Sequence, residues 1–174
     1  MAGFFPRTTI AWRLEEPPAF RALTLSIVES GLLTGVVLRL VRALALAYIP
    51  ERHWVLFALL RLILALALFA AAAVHLANYP VRHWLWRAPV FGLLAAIASM
   101  GMSLLLIAVH RERLGTSPAG WIDWPSLAWR VLAWDVGSVT VFALLLAGVV
   151  QVVRSALVRR ERHSNAPLSA LGGQ

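Results

Sequence analysis

The sequence predicts an all-α polytopic membrane protein, a bundle of four transmembrane helices. Three observations carry that prediction. Four apolar runs each reach the roughly 20 residues a membrane helix needs. Hydrophobic residues make up 60% of the 174-residue chain and charged residues only 14%, whereas a soluble domain carries about 25% charged residues. Pro50, Pro80 and Pro125 fall in or beside the connections, where a missing amide hydrogen does least harm. The same composition excludes a soluble globule, a disordered chain and a collagen-like fibre.

The expected organisation is an N-terminal segment (1–19), a transmembrane domain (20–153) and a tail (154–174) that is first basic, then disordered. The first span runs from about Phe20 to Leu38, or to Tyr48 if Arg39 and Arg42 stretch toward the surface. Glu15 and Glu16 precede it and Glu29 interrupts it, which argues against a cleaved signal peptide. The second span runs from about Trp54 to Leu76, the third from Ala88 to Val109 and the fourth from about Leu127 to Val153. Trp54, Trp84, Trp86, Trp121 and Trp124 flank the spans, as an interfacial aromatic belt requires. The tail after Arg162 carries neither charge pattern nor periodicity, hence the expectation of disorder.

The net charge of +8 comes from arginine alone, since the chain has no lysine. The arginines lie mostly between apolar runs, which points to anionic lipid headgroups and membrane orientation rather than nucleic acid. With four spans, the N-terminal segment, the second loop and the tail share one side and hold nine of the 16 arginines. The opposite loops hold four: Arg42, Arg52, Arg111 and Arg113. The bias places both termini in the cytoplasm, as in a bacterial inner membrane.

Lipid tails are as apolar as leucine, so spans associate by close packing at small residues. Gly31 and Gly35 form a GxxxG pair on the first span, and Ser99 and Ser103 continue a small-residue stripe on the third. These faces are expected to pack the helices. A surplus face is open to another subunit.

Ionisable residues inside a span are costly and become site candidates by default. They are Glu29, Arg39, Arg61, His75 and Asp135. If the first two spans form a hairpin near Pro50, Arg39 and Arg61 lie at similar depth, each roughly 16 Å from the turn. Asp135 lies roughly 15 Å beyond Pro125 on the same side, which makes it the expected counterion of one of them. Glu29 and His75 form a second candidate pair nearer the other surface. Internal pairing is the first expectation for all five, and a proton or ion path is the alternative.

No catalytic constellation stands out. HExxH, GxSxG and glycine-rich phosphate loops do not occur, and no metal site is expected. The absence of cysteine excludes iron–sulfur ligation and disulfide exchange on this chain, which separates it from quinone-linked disulfide oxidoreductases. A haem held by two histidines needs them at one depth on facing helices, and His75 has no such mate. No cofactor is therefore expected, with a single-ligand haem or pigment at His75 or His110 as the open alternative. The expected role is a non-catalytic accessory or scaffold subunit of a larger membrane complex, energy-transducing ones included. Its partners would be anionic lipids and other membrane subunits, with no nucleic acid. A small transporter or proton-coupled carrier using Glu29, Arg39, Arg61 and Asp135 is the competing reading.

Overall fold

The computed structural model describes residues 26–49, 53–114 and 117–169. The expected N-terminal segment and the beginning of the first span lie outside the described residues. Within them are four helices, each long and apolar enough to cross a membrane.

Helix α1 spans Ile27–Tyr48. Ser26 opens it with a capping box: its hydroxyl accepts the Glu29 amide at 3.2 Å, and the Glu29 carboxylate accepts the Ser26 amide at 2.7 Å. Two orphan donors of the first turn are thereby satisfied. No breaker follows until Pro50, so the helix continues through Arg39 and Arg42. Helix α2 spans Trp54–Ala77 and stops ahead of Pro80. A 3-10 turn, Val81–His83, leads into helix α3, Trp84–Ala108. This helix begins a turn earlier than the expected Ala88, because Trp84 is buried and its indole N–H bonds the Tyr79 carbonyl at 2.9 Å. Pro89 consequently sits inside the helix rather than at its start.

The loop after α3 holds a minimal antiparallel hairpin, β1 (Arg113–Leu114) with β2 (Ser117–Pro118), in the register Arg113 to Pro118. Helix α4 spans Trp124–Ser169. Its 46 residues give a rod of roughly 69 Å at 1.5 Å per residue, more than twice the ~30 Å hydrocarbon core. Its C-terminal part therefore projects beyond the bilayer. The helix runs on past Arg162 to Ser169, where the tail was expected to lose order.

Helix α3 is central, with α1 along one side and α4 along the other. Glycines set how close these pairs come. A Cβ on Gly31 would meet Leu94 Cβ at 2.8 Å, and one on Gly35 would overlap the Ala95 carbonyl. On the other side, a Cβ on Gly92 would meet the Asp135 carbonyl oxygen at 2.9 Å. The GxxxG pair is thus used inside the chain, against α3. Helix α2 joins mainly through its C-terminal half, where Leu68, Ala72 and Leu76 enter a core with Trp84, Ala88, Phe91, Ala95, Val139 and Ala143. Phe69 stacks on Phe142 of α4 at 4.8 Å. The N-terminal half of α2 leaves the bundle, and Val55, Leu56, Leu59, Leu62 and Ile63 are exposed.

Candidate functional site

Two ends of the bundle can be told apart. One, the hairpin end, holds the last turn of α1, the first turn of α2 and the loop after α3. Its polar centre is Glu112, whose side chain is 1% exposed. Glu112 reaches the interior because of how α3 stops. The His110 amide donates to the Ile107 carbonyl at 3.0 Å and the Arg111 amide to the Leu106 carbonyl at 2.8 Å. This is a Schellman closure, and His110 occupies its left-handed position with φ of 54°. The chain reverses there, and two residues later Glu112 turns back toward the bundle.

Four donors meet the Glu112 carboxylate. Oε2 accepts Arg39 Nε at 2.9 Å and the Ser103 hydroxyl at 2.9 Å. Oε1 accepts Arg42 Nη1 at 3.2 Å and the Arg113 amide at 3.1 Å. A carboxylate offers about four lone-pair sites, so this one is saturated. Arg39 Nη2, itself 2.8 Å from Oε2, also donates to Ser103 Oγ at 2.9 Å. Arg42 donates to the Arg113 carbonyl at 3.1 Å, and Arg113 Nη1 to the Leu46 carbonyl at 3.1 Å. The cluster ties α1, α3 and the loop into one unit. Arg39 is 4% exposed, so it needs this anion.

The expected partners are therefore rearranged. Arg39 pairs with Glu112 of the loop, not with Asp135 of α4. Asp135 makes no ion pair among the described residues. Arg61 is exposed on α2, and its guanidinium lies 4.7 Å from the Phe57 ring centre. Glu29 is exposed and committed to the capping box. His75 instead meets Ser30, with Nδ1 3.3 Å from Oγ. Ser103 lies on the small-residue stripe as expected but serves as a ligand of the charge cluster, while Ser99 is simply buried.

Sequence reasoning missed Glu112 and Arg42 as members of one cluster. Arg111-Glu112-Arg113 reads as a solvated run at a span end. The available signal was a deficit: two arginines at one depth demand an acid, and loop acids beside a span end belong among the candidates.

At the opposite end, the Ser30 hydroxyl already donates to the Ser26 carbonyl at 2.8 Å. His75 Nδ1–H is then the donor to Ser30, which leaves Nε2 as the acceptor nitrogen. Nε2 is buried and has no hydrogen-bond partner among the described residues. The rings of Phe91 and Tyr79 stand at 5.8 and 5.3 Å from the imidazole. A haem or pigment reaching Nε2 would have to displace this packing. His110 is exposed and spends its backbone, not its ring, on the fold. Among the described residues no group of three His, Cys, Asp or Glu could hold a metal ion.

His110 gives a first prediction. A non-glycine residue in the left-handed region costs about 1 kcal/mol or more, while glycine adds entropy to the unfolded chain. His110→Gly is expected to be neutral or to stabilise by up to about 1 kcal/mol. His110→Val is expected to destabilise, since a β-branched residue fits that region worst. Thermal unfolding in detergent reads both. Stabilisation by valine would mean that the turn does not govern how Glu112 is aimed.

No protein-family model matches the chain, and no curated protein or solved structure matches it.

Proposed function

We propose that this integral membrane protein is a non-catalytic accessory or scaffold subunit of a larger membrane complex. The half-detached helix α2 carries the reading. Its C-terminal half is anchored in the core, while its N-terminal half presents Val55, Leu56, Leu59, Leu62 and Ile63 outward. A span held at one end and open along the other is suited to receive helices from another chain. The polar groups support the same reading. Arg39, Ser103 and Glu112 are consumed by one another, and Glu29 by a helix cap. The carrier reading needs Glu29 and Asp135 on a common path, and Glu29 is spent elsewhere. The arginine distribution further supports both termini in the cytoplasm, in a bacterial inner membrane.

Mild detergent extraction from native membranes, followed by mass spectrometry of whatever stays bound, tests the proposal. The expected result is a stoichiometric set of larger membrane proteins. A clean monomer or homo-oligomer would overturn it and turn attention to flux assays on Asp135 variants.

A further inference from the structure

We infer that Arg61, backed by Arg42, binds the phosphodiester of an anionic phospholipid in the leaflet at the hairpin end of the bundle. The inference is independent of the subunit reading. It concerns the chain alone in a bilayer.

Depth comes first. Arg61 lies seven residues beyond Trp54, roughly 10 Å along α2. The 24 residues of the helix span roughly 36 Å, against ~30 Å of hydrocarbon, so its first turn reaches the headgroup boundary. Side chains on a helix lean toward its N-terminus, which is the hairpin end here. The Arg61 guanidinium follows that rule and sits over Phe57, one turn closer to the surface. It is thus held where a long side chain meets lipid phosphates.

The charge balance then demands an anion. Among the described residues six arginines lie at this end, Arg39, Arg42, Arg61, Arg111, Arg113 and Arg130. The carboxylate of Glu112 is fully occupied by Arg39, Arg42, Ser103 and the Arg113 amide. Among the described residues Arg61 has no ion pair. Arg42 shares the one charge of Glu112 with Arg39, so these two arginines keep a net positive charge, and Arg61 adds to it. The N-terminus of α2 adds to the same field, because no side chain caps it and no acid occupies its first turn. Its unpaired amides carry the positive end of the helix dipole. Trp54, 77% exposed beside them, is the kind of residue that sits at headgroup level. A phosphodiester supplies the missing charge at that level. A partner's carboxylate would have to enter near the headgroups to serve as well.

The test uses the full chain in phosphatidylcholine vesicles with spin-labelled phosphatidylglycerol or phosphatidylcholine as probe. Electron paramagnetic resonance reads how strongly each probe is held at the protein surface. One arginine near the surface corresponds to about a fivefold preference for the anionic lipid. Arg61→Gln is expected to remove about that factor, and Arg61→Lys to keep most of it. Arg130, exposed six residues into α4 at the same end, lacks the arginine cluster behind it, and Arg130→Gln is expected to change the preference less. Equal losses in the two glutamine variants would overturn the inference, leaving only a general attraction of cations for anionic lipid. An unchanged preference in Arg61→Gln would also overturn it and leave a partner's carboxylate as the counterion. Displacement of the labelled lipid by inorganic phosphate would assign the site to free phosphate instead. Unchanged far-UV circular dichroism in the variants ties each loss to the site rather than to folding.

Discussion

Glu112→Gln is expected to destabilise the protein by about 3–5 kcal/mol, the range for removing one partner of a buried ion pair. The substitution keeps the shape of the side chain and removes only its charge. Arg39, 4% exposed, cannot recover water, and its guanidinium does not lose its proton. Arg42 is in a milder position, since its side chain is 17% exposed and can turn outward. The loss should therefore track Arg39, which a double-mutant cycle can show. Arg39→Met alone also leaves Glu112 short of a partner, but Arg42, Ser103 and the Arg113 amide still hold it. That variant should cost less than Glu112→Gln. Combined, the two substitutions should cost clearly less than the sum of the single losses, because the buried cation is gone. Arg39→Lys should not rescue. A lysine is a point donor and cannot address Glu112 and Ser103 through one planar fork. Unfolding in detergent against a denaturing surfactant would give all four values. Additive losses would mean that Arg39 and Glu112 are not coupled in the bilayer.

This cluster also shows why some of the site was legible in the sequence and some was not. The four spans could be read because apolar runs, prolines and tryptophans are local signals. That an arginine inside a span needs an anion was legible too, and Arg39 has one in Glu112. The identity of that anion was not legible. Asp135 is inside a span and Glu112 outside, so a ruler measured along the helices favours Asp135. What brings Glu112 inward is the left-handed backbone of one residue, His110, and a histidine there carries none of the sequence signal a glycine would. Glu29 escaped for a related reason. With a span begun at Phe20 it reads as an intramembrane acid. With the helix begun at Ile27 it is the third residue and a natural capping partner for Ser26. Helix starts inside an apolar run are set by such single hydrogen bonds, which hydropathy does not register.

Gly35→Ala is expected to be the most damaging one-carbon change in the membrane region. Two effects oppose each other. Alanine favours the helix over glycine by about 1 kcal/mol, and forced overpacking costs about 1–3 kcal/mol or more. The contact decides between them. A Cβ at Gly35 overlaps the Ala95 carbonyl oxygen and lies 2.9 Å from both the carbonyl carbon and Ala98 Cβ. The obstruction is backbone in the middle of α3, which has no rotamer to change. It yields only if α1 and α3 separate, and their separation also pulls Arg39 away from Ser103 and Glu112. Packing loss and exposure of a charge then combine, and a net loss of about 3 kcal/mol is expected. Gly101→Ala supplies the control on the neighbouring helix. A Cβ there meets nothing within 4 Å, so only the propensity gain remains and stabilisation of up to about 1 kcal/mol is expected. The two substitutions change the composition identically and should move stability in opposite directions. If both stabilised, the tight crossing of α1 on α3 would not exist in the membrane. If both destabilised equally, the outer face of α3 at Gly101 would be occupied there as well, as a partner subunit seated on it would require.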